Sequence, residues 1–319
     1  MRITNNMLSH NLLRNLEAAQ GRMDKIQDQM SSGYKITRPS DDPVGIENAL
    51  RLKSSISNVE QWKNNASEGL AYMNTTDSSL GDITSMLQRA KELAIQGANG
   101  SMTTEDREKI AVEIDQLKEQ MVQLANTKVG SKYIFGGTAN KEPFPQGMYK
   151  IADASTPDPT DFQWLWNGSN DVVQYQIGNN LSLAISVNGR SLFGVGTTID
   201  VSGNEIVTGV GMIQAFEDLS TALKNSDIDA MQNSISTLED QADNVVNYRG
   251  ELGARLNRMN SLYDQLDATA LNLTGNLSDI MDADMAKTII DFKNQENVYN
   301  AALSVGAKII QPSLVDFMK

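Results

Sequence analysis

With 319 residues, a net charge of −13 and an isoelectric point near 4.6, the chain is long enough for two or three domains and too acidic to suit a nucleic-acid backbone as partner. It has no cysteine and one histidine, His10, which removes disulfides, thiol chemistry and a structural zinc site. Hydrophobic residues make up 40% and aromatics only 6%, enough for helix seams but short of large rings for globular cores.

The opening stretch, Met1 to Gln20, lacks an unbroken apolar core and a small-residue cleavage site, so no secretory signal is read. No run of apolar residues is long enough to span or insert into a membrane. His10 sits among polar residues and reads as exposed and inert, which leaves no base for Ser–His–Asp catalysis. Leu12, Leu16, Ala19, Met23, Ile26 and Met30 then form a ladder in steps of three and four, the seam of a helix. Ser31-Ser32-Gly33 stops it, Gly33 suiting a helix C-terminus. So short a helix gains most of its stability from packing. It reads either as one arm of a helical hairpin or as an arm that orders only against other subunits.

In the next segment Ser40 or Asp41 is expected to cap a second helix, with Pro43 in its first turn and Asp41 and Asp42 near its positive end. Adjacent carboxylates in that position read as caps rather than as a metal site. The second helix runs from about Val44 to Gln96 on Ala49, Leu52, Ile56, Val59, Ala66, Leu70, Met73, Leu80, Leu87 and Ala94. Lys63, Asp77 and Thr84 interrupt that seam. After a turn at residues 97–100, Thr103 or Thr104 starts a third helix on Ile110, Ile114, Leu117, Met121 and Leu124.

From Gly130 the pattern changes. Tyr133-Ile134-Phe135 is a short β-prone run, and alternation recurs at 162–166, 173–177 and 181–187 before Asn188-Gly189, a hairpin turn or a strand stop. This predicts a small, surface-exposed β insert over 141–207. Gly209-Val210-Gly211 resembles the opening of a dinucleotide fingerprint, but Gln214 stands where the third glycine belongs and no βαβ unit surrounds it. Asp153, Asp158 and Asp161 lack calcium-loop spacing. No cofactor, metal or catalytic residue is therefore assigned.

Helix resumes after about Thr208 on Ile213, Phe216, Leu219 and Leu223. Past a turn at Asn225-Ser226-Asp227 comes the longest ladder: Met231, Ile235, Leu238, Ala242, Val245, Arg249, Leu252, Leu256, Met259, Tyr263, Leu266, Ala270, Leu273, Leu277 and Ile280. Every rung but Arg249 is apolar, the heptad seam of a rod that would span about 75 Å. Gly275-Asn276 offers a stop. Residues 279–284 offer new caps for a last ladder of Met285, Ile289, Phe292, Tyr299, Leu303 and Ile310, ended by Pro312. The fold read from this is mainly α: a long antiparallel helical bundle or coiled-coil rod formed by both chain ends, with the β insert between. Residues 1–43 and 280–319 would be terminal coiled-coil helices, and 44–140 with 208–279 the helical rod.

Three segments carry a family resemblance. Ser31-Ser32-Gly33-Tyr34-Lys35-Ile36-Thr37-Arg38-Pro39-Ser40-Asp41-Asp42-Pro43 resembles the segment after the N-terminal helix of bacterial flagellins and their junction proteins. Leu252-Gly253-Ala254-Arg255-Leu256-Asn257-Arg258 resembles a second flagellin motif, and the run from Leu277 to Ala286, with Asp282 and Asp284, a third. The residues that carry the motifs are Ser32, Gly33, Pro39, Asp41, Asp42, Pro43, Gly253, Asn257, Arg258, Asp282 and Asp284. Tyr133-Ile134-Phe135-Gly136-Gly137 with Pro143-Phe144, and the prolines flanking the Asp pair, resemble the hook–filament junction branch; a small flagellin is the alternative.

The resemblance implies a secreted structural subunit of the flagellum, exported unfolded with an export chaperone through the flagellar type III apparatus. It implies a ring of like subunits between a hook-side junction protein and flagellin. It also implies terminal helices that are loose before assembly and then build the tubular core. Leu12, Leu16, Met23, Ile26 and Met30 with Met285, Ile289, Phe292, Tyr299, Leu303 and Ile310 would be the assembly interface. Two other classes compete: an unrelated coiled-coil scaffold or chaperone, and an enzyme, for which no positioned base or metal cluster is present.

Overall fold

The computed structural model of the chain describes residues 5–139, 141–144, 168–199 and 205–310. In chain order these form α1 (Asn5–Ser32), α2 (Pro43–Gly97), α3 (Thr104–Ala125), β1 (Lys128–Val129), β2 (Lys132–Tyr133), β3 (Gln174–Gly178), β4 (Leu181–Ala184), α4 (Gly189–Leu192), β5 (Val195–Ile199), β6 (Glu205–Val210), α5 (Gly211–Asn225), α6 (Ile228–Met281) and α7 (Met285–Ile310). The strands pair as three separate antiparallel hairpins, β1 with β2, β3 with β4 and β5 with β6. The chain divides into two compact units. One holds the described residues up to Glu60 and from Ala268 onward, and the other holds Gln61–Asp267. The first stretch of α2 and the last of α6 thus group with α1 and α7, which differs from the three-part division expected.

The unit Gln61–Asp267 is built on two facing heptad rows. On α6, Met231, Leu238, Val245, Leu252 and Met259 are fully buried, one every seventh residue. On α2, Ala66, Met73, Leu80, Leu87 and Ala94 match them. The helices are antiparallel: Gly69 lies against Met259 at one end and Gly97 against Met231 at the other. A Cβ at Gly97 would meet the terminal methyl of Leu223 on α5, which would have to shift. Lys63 and Asp77, two of the residues that broke the α2 seam in sequence, are paired across the groove, as is Lys91. Arg249 Nε lies 3.1 Å from Asp77 Oδ1, and Lys63 pairs with Asp267 and Lys91 with Glu239. Thr84 turns its hydroxyl back to the Leu80 carbonyl, 2.7 Å away.

The other helices close on this pair. Thr103 caps α3, its Oγ1 accepting from the Asp106 N–H at 3.2 Å while its hydroxyl donates to Asp106 Oδ2 at 2.8 Å. One turn on, Arg107 is buried and donates to the carbonyls of Gly97 (2.9 Å) and Asn99 (3.1 Å). A guanidinium at this point satisfies orphan acceptors at the α2 C-terminus and complements its dipole. Helix α3 packs along α5, where Lys224 Nζ reaches Asp115 Oδ2 at 2.8 Å.

Several sequence expectations need correction here. Over its described residues the β insert packs by one face: Ile177, Leu183, Ile185, Val187, Leu192 and Phe193 are buried in one core with α2 and α6, while Gln174, Gln176 and Ser182 are exposed. Phe193 meets Phe135 and Phe144 edge-on, with centroids 5.4 and 5.3 Å apart. Strand β2 ends at Tyr133, although the Ile134 N–H still donates to the Thr127 carbonyl at 3.0 Å, and the Ile134 and Phe135 side chains are buried in that core. The Tyr72 hydroxyl follows and donates to the Ile134 carbonyl at 2.8 Å; burial pushes its pKa well up, with Tyr175 adding to the shift. Asn188-Gly189 makes no hairpin; Asn188 accepts from the Ser191 N–H and caps α4. Strand β6 continues to Val210, so helix resumes at Gly211 rather than near Thr208. Gly275-Asn276 does not end α6, which runs on to Met281; a helical interior accepts one glycine at a cost of about 1 kcal/mol. The alternation at 162–166 and Asp153, Asp158 and Asp161 lie outside the described residues.

Candidate assembly site at the crossover and terminal helices

In the unit formed by the two chain ends, Gly33 ends α1 in the left-handed region (φ +74°), its N–H donating to the Gln29 carbonyl at 2.9 Å. The chain then pairs with residues more than two hundred positions away. Tyr34 bridges Asp282 in antiparallel fashion, the Lys35 N–H donates to the Met281 carbonyl at 2.7 Å, and the Ala283 N–H donates to the Gly33 carbonyl at 2.8 Å. Lys35 Nζ donates to the Asp279 carbonyl at 2.8 Å, placing a cation at the carbonyl end of α6. Ile36 and Met281 are buried at this joint. Gly45 admits Ile36, for a Cβ there would collide with Asp42 and Ile36.

The aspartates of the sequence motifs each end or begin something at this crossover. Asp42, and not Ser40 or Asp41, caps α2: its Oδ1 accepts from the Val44 (3.2 Å) and Gly45 (3.0 Å) N–H groups. Asp41 points the other way. It accepts from the N–H groups of Thr37 and Arg38 and lies 2.9 Å from Lys25 Nζ on α1. The Lys25 hydrogen bond pulls its pKa down to about 2 against desolvation, with the Arg38 and Thr37 N–H groups and the Lys25 charge adding to the fall. Asp284 caps α7 through the N–H groups of Ala286 (3.0 Å) and Lys287 (3.2 Å). Asp282 accepts from the Ser278 hydroxyl. Ser32 donates to the Asp28 carbonyl at 2.8 Å, Pro39 is exposed in the loop, and Pro43 is the first residue of α2. Gly253, Asn257 and Arg258 are not at this joint; they lie along α6 in the other unit, Asn257 and Arg258 exposed.

Helices α1 and α7 run antiparallel beside one another. Gln295 Nε2 donates to the Ala19 carbonyl at 3.3 Å, and Gly306 is buried against Leu12. Among the described side chains of α1 only Ala19 is buried, while Leu12, Leu16, Met23, Ile26 and Met30 are half-buried. On α7 the side that meets α1 runs through Gln295 and Gly306, with Thr288 buried and Phe292 and Tyr299 half-buried along the same line. Three other rungs of the apolar ladder are turned toward water. Met285, Ile289 and Leu303 are 40, 46 and 45% exposed, and Phe292 and Tyr299 are half-buried. The side chain of Ile310 lies outside the described residues. A further apolar set, Ile290, Val298 and Val305, is exposed elsewhere on the same helix. A helix apolar on more than one side is a helix meant to be surrounded. This second set escaped the sequence reading, which followed only one ladder.

Among the described residues no group of acidic or histidine side chains could hold a metal ion, and no helix is long and apolar enough to cross a membrane. His10 is exposed.

Residues 3–140 match the bacterial flagellin N-terminal helical region, and residues 223–318 match the bacterial flagellin C-terminal helical region. Flagellar hook-associated protein 3 of Escherichia coli K12 is 26% identical over 315 residues, covering 95% of each chain. Flagellin FlaB1 of Treponema pallidum is 28% identical over 300 residues, covering 92% of this chain and 91% of its own, and Bacillus subtilis flagellin 27% over 316 residues, covering 98% and 97%. Among solved structures, Bacillus cereus FlgL superposes with a TM-score of 0.55 at 24% identity, over 72% of this chain and 99% of that one. A putative flagellar hook-associated protein of Vibrio parahaemolyticus reaches 0.61 at 16% identity, over 76% and 100%.

Proposed function

We propose a place in the flagellum for this chain from the premise that it belongs to the bacterial flagellin family: it forms the junction between hook and filament. As a member of that family it is a structural subunit of the flagellum and not an enzyme.

The uncovered apolar surface of α7 carries the reading. Met285, Ile289, Ile290, Val298, Leu303 and Val305 are all at least 40% exposed on one helix, and a soluble subunit gains nothing from them in isolation. Copies of the chain arranged as a ring would cover them, together with the half-buried ladder of α1. The ring binds the hook-side junction protein on one side and flagellin on the other. The subunit reaches that site by the flagellar type III export apparatus with an export chaperone, and lies outside the cell. Its terminal helices settle against neighbours there, while the core of Gln61–Asp267 supplies the rigid body. The stretch Tyr133–Phe144, whose sequence resembles the junction branch, supports junction over filament placement, and its Phe135 and Phe144 meet Phe193 edge-on.

A small flagellin is the second reading, favoured by flagellin relatives as similar as the hook-associated ones. Immuno-electron microscopy of intact flagella separates the two. A single labelled band at the hook end of the filament is expected; label along the whole filament makes the chain a flagellin.

A further inference from the structure

The facing apolar rows of α2 and α6 share a weakness. A pattern that repeats every seven residues fits almost as well after a slide of seven or fourteen. Something must tell the native register from the slid ones.

Beside the dry rows runs a second pair of rows at the same spacing. On α2 it reads Lys63, Leu70, Asp77, Thr84, Lys91, and on α6, in the opposite direction, Tyr263, Leu256, Arg249, Ala242, Ile235. Two contacts fix their alignment. Lys63 Nζ sits 5.3 Å from the centre of the Tyr263 ring, and Arg249 Nε is 3.1 Å from Asp77 Oδ1. The guanidinium lies alongside Gly81, one turn from Asp77. Asp77 is the sole acid in its row and Arg249 the sole base in its own. We propose that the Asp77–Arg249 pair is the register key of the α2–α6 rod.

A slide of one heptad sets Arg249 opposite Leu70 or Thr84, and Asp77 opposite Leu256 or Ala242. A slide of two heptads sets Arg249 opposite Lys63 or Lys91, and Asp77 opposite Tyr263 or Ile235. Every slid register separates the two charges at the edge of a dry seam, and the two-heptad slides add repulsion between cations. In the native register the pair is 38% exposed on both sides, so its own contribution to stability is small. Its effect lies in what the wrong registers lose. Polar groups at single heptad positions act in this way, specifying register at little or negative gain in stability. The inference concerns the folding of the rod and holds whether the subunit sits at the junction or in the filament.

Engineered cysteine pairs report register without interference, since the chain has none of its own. Leu70→Cys with Leu256→Cys face each other in the native register; Leu70→Cys with Tyr263→Cys meet only after a one-heptad slide. Each pair is placed in the full chain, which is refolded from denaturant under oxidising conditions, and cross-linking is quantified. In the parent background only the first pair should cross-link. Asp77→Leu with Arg249→Leu should leave the unfolding midpoint unchanged or higher, yet raise the slid cross-link roughly tenfold, equivalent to about 1.4 kcal/mol. Thr84→Asp keeps the native key and offers Arg249 a second acid one heptad away, in the sense of slide that the second cysteine pair detects. It too should raise the slid cross-link, and it decides the matter if the double leucine variant does not fold. A slid cross-link at background in either folded variant overturns the proposal. So does a double leucine variant that is strongly destabilised but stays in register, for the pair would then be an ordinary stabilising contact.

Discussion

The two chain ends and the rod between them are written in the same spacing of threes and fours, yet one seam is dry and the other is not. On α6, five consecutive heptad positions from Met231 to Met259 are at most 1% exposed. On α7, three of the corresponding ladder positions, Met285, Ile289 and Leu303, are at least 40% exposed. The difference is not in the ladders but in what faces them. The row from Ala66 to Ala94 meets α6 rung for rung, whereas α1 half-covers Phe292 and Tyr299 and leaves Met285, Ile289 and Leu303 open. A heptad ladder therefore announces that a helix will be covered, and says nothing of whether its own chain does the covering.

The sharpest way to break this comparison is to remove one rung from the dry seam. Leu252→Ala should destabilise the chain by about 2–5 kcal/mol through lost transfer and an unfilled cavity. A denaturant midpoint close to that of the parent would mean that the seam is not the stabilising core. Hydrogen exchange on the isolated subunit gives the next largest contrast. Amides of 231–259 should open only with global unfolding, and those of 12–30 and 285–303 far sooner, because half-covered helices of this length are marginal. Equal protection in the two would abolish the distinction. Arg107→Ala tests the end of the rod. Leaving the Gly97 carbonyl without its buried donor should cost about 1–3 kcal/mol, read from the thermal midpoint.

Smaller effects are expected at the chain ends. Leu303→Asp should change subunit stability by no more than about 0.5 kcal/mol, since the position is already open to water. The same change should stop incorporation into flagella, where the charge would be desolvated without a partner. A variant that still assembles would remove α7 from the interface. The least effect concerns Asp41. Its folded pKa of about 2 lies below the unfolded carboxylate value of about 3.9, so its contribution is complete above pH 4. That contribution fades as pH falls through about 2. Asp41→Asn should flatten the acid limb of the stability profile between those values and leave it unchanged near neutrality. A parallel acid limb in the variant would show that the Lys25 contact does nothing for the fold.

Much of the architecture was legible in the sequence because helix seams, caps and glycine stops are local. The ends of α1 and α2, the capping of α3 at Thr103 and the course of α6 all follow from spacing and from one or two residues at each terminus. The three flagellin-like motifs were legible in the same way, as strings. Their joint action was not: Gly33 and Lys35 hydrogen-bond to Ala283 and Met281, and nothing in either string names the other. The choice of Asp42 over Asp41 as the cap was equally hidden, since both stand within reach of the α2 terminus and the Lys25 side chain on α1 decided between them. Lys63, Asp77 and Arg249 looked like flaws because each was read on its own helix. What tertiary structure alone decided is which residue stands opposite which. Opposition depends on the alignment of distant segments, and the free energy of a charge, a glycine or a half-covered leucine is set by its neighbour across the groove and not by its neighbours along the chain.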